Sequence, residues 1–248
     1  MIGMLAMQKY LDAVWARTSE VYAQEARKSS YGRKVSFHGW PHVSFVAKNA
    51  HKFAIELKAD PCIAEIAGLV HDLNYLVDAR SDASGGAVLR EKILSECGLD
   101  SQSISLIEDV VVTAQTRMRG RGISREAMAL SDADTLFKAL PITPVILSPL
   151  YIRETGSSLR ELAQKITSEQ VPLRDEEIYF YSTSAKQKYE EWGDANLRLW
   201  SLILESLDDP SIVELVAQME EYTKIPAEPE GTQDMRAAVG QASNRLRA

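Results

Sequence analysis

The sequence predicts an all-α fold, on three observations. Apolar residues recur at helical spacing through most of the 248-residue chain. Two prolines, Pro41 and Pro61, fall where the first turn of a helix accepts them, Pro61 directly behind the cap residue Asp60. No segment alternates convincingly at period two; Tyr179-Phe180-Tyr181 alone could form a short extended piece.

Taken in order, the first amphipathic run covers about Leu5 to Ala26, followed by a polar loop, Ser29-Ser30-Tyr31-Gly32-Arg33. The second helix starts at Pro41 and runs from His42 to about Leu57. The third starts at Asp60-Pro61 and carries His71-Asp72 at its end. Residues Asp78 to Gly86 are polar and glycine-rich and read as a loop. Helices are expected at about Ala87–Cys97, Ser101–Thr116 and Ser124–Leu140. Pro141, Pro144 and Pro149 then interrupt the pattern, so 141–180 reads as mixed, with a short helix near Ser158–Thr167. Long helical runs follow at about Ser184–Ser206 and Asp209–Tyr222. From Pro226 onward Pro, Glu, Gly and Gln dominate. The expected organisation is one helical domain over 1–225 and a flexible tail over 226–248.

Hydrophobic residues make up 45% of the chain and charged residues 25%, enough for an ordinary globular core. The net charge of -7 argues against a broad face for a nucleic-acid polymer, but a local arginine cluster could still hold one small phosphorylated ligand. Cys62 and Cys97 lie in apolar helical patterns and read as small buried hydrophobes rather than a disulfide. The first residues lack the basic lead and cleavage site of a secretory signal, and no run is long and apolar enough to span a bilayer. A cytoplasmic protein is therefore expected, with no membrane partner. The oligomeric state is open, a homo-oligomer included.

Three of the four histidines, His38, His42 and His71, sit in one neighbourhood. His71-Asp72 ends the apolar run Cys62 to Val70, where an unpaired charge would be costly and a divalent cation is a natural partner. A further carboxylate is available in Ser131-Asp132-Ala133-Asp134, which has apolar flanks. Two imidazoles and two carboxylates form a borderline-hard N/O site. It suits one Mn, Fe, Co, Ni or Zn ion more than Mg. A lone His-Asp at a helix end is ordinarily a surface or capping feature; the ordered set outweighs that explanation.

The ordered set His42, then His71-Asp72, then Asp134 in Ala133-Asp134-Thr135-Leu136 resembles the HD-domain metal-dependent phosphohydrolase superfamily. The resemblance covers roughly residues 35–207. Ser182-Thr183-Ser184-Ala185-Lys186, leading into a long helix, is similar to the C-terminal part of small stand-alone members. The resemblance implies an HD-type helical fold with a helical C-terminal extension. It implies metal ligation by His42, His71, Asp72 and Asp134, with Asp134 preferred to Asp132 for its Ala-Asp-x-Leu context. The implied activity is hydrolysis of a small phosphorylated, nucleotide-like substrate, with Asp72 also orienting water. An HD-type hydratase of a small nitrile-like substrate and a non-catalytic binding module are the alternatives. No histidine follows His71, so one metal ion is expected rather than two. Tyr75 stands where some members carry an acidic residue, which leaves Asp78 as a substitute water-orienting carboxylate.

His38 precedes His42 by four residues. In HD-type phosphodiesterases a histidine at this spacing resembles a proton donor to the leaving oxygen; the plainer role is a loop histidine bonded to backbone near Trp40. His51 reads as a surface residue. Arg117, Arg119 and Arg121 form the one concentrated basic patch and could fork onto phosphate, or line a solvated loop. Lys138, four residues after Asp134, and Lys186 are further candidate phosphate contacts. Trp40, Tyr75 and Tyr181 could stack on a base, although core packing is the commoner use.

Overall fold

The computed structural model describes residues 4–28, 35–78 and 81–222, and among them the fold is all-α. The helices are α1 (Met4–Lys28), α2 (Trp40–Glu56), α3 (Pro61–Val70), the single turn α4 (Asn74–Val77), α5 (Ala87–Glu96), α6 (Ser101–Thr113) and α7 (Arg125–Ala139). They continue with α8 (Ser148–Thr155), α9 (Leu159–Asp175), α10 (Thr183–Ser206) and α11 (Pro210–Tyr222). The chain divides into two compact units, Met1–Glu205 and Ser206–Ala248. The polar loop at 29–33 and the tail expected over 226–248 lie outside the described residues.

Helix starts follow the local chemistry. Asp60 accepts from the amides of Cys62 and Ile63, Asp100 from Ser103, and Ser124 from Ala127. Ser158 and Glu161 form a reciprocal capping box on α9. Pro41 and Pro61 stand in the first turns of α2 and α3, where no backbone N–H is needed.

The core is built on α2, which packs most extensively on α3 and α7. Gly68 makes this possible. A Cβ at that position would come within 2.7 Å of the Ala47 Cα, so only glycine lets α3 lie against the α2 backbone. Val43, Val46, Ala47 and Ala50 of α2 and Ile66 and Leu69 of α3 are fully buried there. The result brings His42, in the first turn of α2, opposite His71 at the C-cap of α3.

The proline-containing stretch 141–180 is more helical than its sequence predicts. Pro149 opens α8 rather than breaking it, and Gly156 closes that helix in the left-handed conformation (φ 69°). α9 runs to Asp175 through Pro172, past the end expected near Thr167. Val171 and Leu173, on either side of that proline, pack against the core, so tertiary contact overrides the missing backbone bond. Ala83–Gly86 forms a 3₁₀ turn capped by Asp82 within the stretch expected to be a loop. α6 stops at Thr113, and Thr116–Met118 forms a separate 3₁₀ turn. No strand occurs among the described residues; Tyr179 and Phe180 are buried in an irregular segment. No single described helix is long and apolar enough to cross a membrane. Cys62 is buried as expected, whereas Cys97 is only half-buried.

Candidate metal centre

Three elements converge on one point. His42 Nε2 lies 2.9 Å from Asp72 Oδ2, and His71 Nε2 lies 3.1 Å from the same oxygen. The two Nε2 atoms are 3.3 Å apart, and Asp134 Oδ1, from α7, is 3.8 Å from His42 Nε2. The donor atoms of His42, His71 and Asp134 all lie within 4.8 Å of one another. With metal–ligand bonds of about 2.1 Å, neighbouring ligands stand about 3.0 Å apart in an octahedron and about 3.4 Å apart in a tetrahedron. The observed spacings bracket those values.

Hydrogen bonding orients the donors. His71 Nδ1 lies 2.8 Å from the Gly68 carbonyl, which requires the proton on Nδ1 and leaves the Nε2 lone pair facing the cluster. His42 Nδ1 is buried without a partner. With its proton on Nδ1, neutral His71 turns an Nε2 lone pair toward Asp72 Oδ2 at 3.1 Å and His42 Nε2 at 3.3 Å, and a cation among these atoms relieves the repulsion. The residues therefore fit a divalent ion, with imidazole and carboxylate donors and no thiolate.

The electrostatics follow from burial and proximity. Burial alone would raise the Asp72 carboxyl, but His71 above all, and then the imidazole hydrogen bonds, hold it well below the usual carboxylate range. Burial pushes His42 down. At His71 burial acts in the same sense, but the Asp72 charge and hydrogen bond outweigh it and raise the group. Asp134 is lowered against its burial, chiefly by Lys138, whose Nζ lies 2.7 Å from Asp134 Oδ2. Lys138 also donates to Thr116 Oγ1 at 3.3 Å. Its pairing leaves Oδ1 as the Asp134 oxygen nearest the imidazoles.

The cluster opens into a cavity of about 650 Å³. His38, Tyr75, Arg117, Lys138 and Lys165 line it beside His71, Asp72 and Asp134. At its other parts lie apolar groups such as Leu162, Ile166, Leu197 and Trp200.

The remaining sequence candidates separate clearly. Arg117 lines the cavity but is largely exposed and pairs with Asp82 at 3.3 Å. Arg119 also borders it, yet its guanidinium is buried against Asp132, Thr135 Oγ1 and the Ile178 carbonyl, so it supports structure rather than reaching for phosphate. Arg121 is exposed outside the cavity lining, and Lys186 donates to the Glu177 carbonyl, also away from it. Asp78 is exposed and not part of the lining, so the cavity does not bear out its role as a water-orienting substitute. His51 is not simply a surface residue, because its Nδ1 lies 2.7 Å from Glu65, which also accepts from the Trp15 indole at 2.8 Å.

His38 is not held by backbone near Trp40. Its Nδ1 sits 2.5 Å from Glu154 Oε1, and its ring stacks on Tyr75 with centroids 3.4 Å apart. Trp40 packs edge-on against Trp15, and Tyr181 lies against Arg119 with its hydroxyl accepting from Gly120 N. Sequence reasoning missed Glu154, as it missed Lys165 in the cavity lining. Glu154 lies 116 positions from His38, in the stretch read as mixed, and no spacing rule connects them.

No family model and no curated protein matches the chain. Among solved structures, the chain is similar to YpgQ of Bacillus subtilis, determined in complex with ADP. The superposition has a TM-score of 0.50 at 21% identity and covers 78% of this chain and 99% of the other. At that identity the likeness is one of fold.

Proposed function

We propose that the chain is a metal-dependent phosphohydrolase of the HD-domain kind, acting on a small phosphorylated, nucleotide-like substrate. The observation that carries this is the convergence of His42, His71, Asp72 and Asp134 at a cavity that also holds Lys138. The ADP bound by the similarly folded YpgQ supports the substrate class. The cations in the lining favour a phosphate-bearing substrate over the neutral one a hydratase would take.

His42, His71, Asp72 and Asp134 would hold a divalent ion, which would supply Lewis acidity to a phosphoryl oxygen and lower the pKa of a water. The protein's own groups do the rest. Asp72, with Oδ2 between the imidazoles, offers its second oxygen to orient the attacking water. The water oxygen forms the new P–O bond as the bond to the leaving oxygen breaks. Lys138, anchored on Asp134, balances charge on the phosphoryl group. His38, on the cavity wall, gives a proton to the leaving oxygen, and the proton lost by water returns to solvent.

Elemental analysis of the purified protein, followed by turnover assays with Mn, Fe, Co, Ni, Zn and Mg on nucleoside mono-, di- and triphosphates and simple phosphoesters, tests the proposal. Phosphate or pyrophosphate release that depends on the added metal and disappears in Asp72→Ala is expected. Tight metal binding without release from any of these substrates would overturn the hydrolase assignment and leave a binding module.

A further inference from the structure

We propose that Glu154 is a positioning residue that fixes the tautomer and orientation of His38, so that the imidazole presents Nε2 to the leaving group. The catalytic half of this inference rests on the phosphohydrolase proposal above; the tautomer half does not.

Glu154 sits near the end of α8 with its side chain wholly buried. Both oxygens are committed. Oε2 accepts from the backbone amides of Phe37 (2.7 Å) and His38 (3.3 Å), and Oε1 faces His38 Nδ1 at 2.5 Å. A carboxylate has no proton to give, so the imidazole must carry its proton on Nδ1. Nε2, on the opposite edge of a ring that lines the cavity, is the nitrogen left for substrate. Tyr75 stacks on one face of the ring with an interplanar angle of 5°, which hinders a flip of the imidazole about its Cβ–Cγ bond. Proton transfer from Nε2 needs a ring that carries a proton on both nitrogens, and Glu154 keeps the Nδ1–H in place throughout. In the step, the leaving oxygen takes the Nε2 proton as its bond to phosphorus breaks, and the ring is left neutral with Nδ1–H still on Glu154.

The substitution Glu154→Gln separates this role from simple packing. Two backbone amides demand an acceptor at the Oε2 position, so the glutamine oxygen settles there. Its NH₂ then faces His38 Nδ1 and donates to it, which drives the ring proton to Nε2. A neutral ring protonated only at Nε2 is a poor acid. The backbone bonds at Phe37 and His38 survive, so the variant is expected to fold.

Two measurements test the proposal. The first is long-range ¹H–¹⁵N correlation NMR of histidine-labelled protein, with the His38 signals assigned by His38→Gln. The neutral ring should show the Nδ1–H tautomer in the wild type and the Nε2–H tautomer in Glu154→Gln. The second is kinetics at saturating metal on phenyl phosphate and p-nitrophenyl phosphate. Glu154→Gln should lower kcat on the phenyl ester on the order of 100-fold, with KM little changed. It should have much less effect on the nitrophenyl ester, whose leaving group needs no proton. Glu154→Gln combined with His38→Gln should be no slower than His38→Gln alone. An unchanged tautomer in Glu154→Gln overturns the positioning role whether or not the protein hydrolyses anything. Equal losses on both esters overturn the acid role. A wild type inactive on every substrate with the tautomer switch intact defeats the phosphohydrolase assignment alone.

Discussion

Asp132 and Asp134 stand two residues apart on α7 and are used in opposite ways. Two helical steps rotate a side chain by about 200°, so the pair points to opposite faces. Asp132 is fully buried and saturated: it takes Arg119 at 3.3 Å and the amides of Tyr181 and Ser182 at 2.8 and 2.7 Å. It pins the irregular segment before α10 to the core. Asp134 faces the cavity, with one oxygen on Lys138 and the other toward the imidazoles. A carboxylate that already has all its donors is structural, whereas one with an oxygen facing a cluster of imidazole nitrogens is available to a cation.

The sharpest way to break this contrast is to remove each carboxylate in turn. Asp134→Ala, like His71→Ala and Asp72→Ala, is expected to lose the metal and with it on the order of 1000-fold in kcat/KM, since Lewis-acid stabilisation is worth several kcal/mol. Metal stoichiometry unchanged by plasma emission in all three variants would remove the site. Asp132→Ala is expected to act on stability instead, by about 3–5 kcal/mol, because it leaves the Arg119 charge buried without its partner. Denaturant titration reads that loss, and the folded fraction should still bind metal one-to-one. Metal loss from folded Asp132→Ala would mean that the two carboxylates had been assigned the wrong way round.

This division was only partly legible in the sequence. Helix caps at Asp60, Asp100, Ser124 and Ser158 are local chemistry, and the helices they start could be read from a few consecutive residues. The ordered His42, His71-Asp72, Asp134 pattern could be read because each candidate ligand has its own helical context. The choice of Asp134 over Asp132 came from that pattern, since both carboxylates have apolar neighbours in sequence. Glu154 and the use of Arg119 were illegible for one shared reason. Each depends on contacts across long separations, 116 residues to His38 and 59 to the Ile178 carbonyl. Proline statistics also misled over 141–180, because packing of the half-buried Val171 and Leu173 against the core carries α9 through Pro172.

The same inside–outside contrast orders the cations. Lys138 is half-buried beside the candidate metal centre, held by Asp134 and Thr116. Lys138→Ala is expected to raise KM for a phosphorylated substrate about ten-fold or more at saturating metal, the loss of one charged hydrogen bond of about 1.5–3 kcal/mol. It should also weaken metal binding about 10–100-fold, because Asp134 loses the partner that orients it. Titrating the metal before measuring KM separates the two effects. Unchanged KM at saturating metal would place the phosphate elsewhere in the cavity.

Arg117 gives the smallest effect, and its size locates the cavity mouth. Its side chain is 63% exposed and already paired with Asp82, which is itself half open to solvent. An exposed pair of this kind contributes little, because water screens both charges and the long side chains lose freedom in pairing. Arg117→Ala should therefore change KM by no more than about three-fold, and less as ionic strength rises. Arg121→Ala, outside the cavity lining, should change nothing. Arg119→Ala should lower the melting temperature through Asp132 rather than change KM. A ten-fold rise in KM for Arg117→Ala would show that substrate draws this arginine away from Asp82 and that phosphate extends from the metal centre to the 3₁₀ turn at Thr116–Met118. Steady-state kinetics at two salt concentrations on the three arginine variants decides between a bystander at the rim and a substrate clamp.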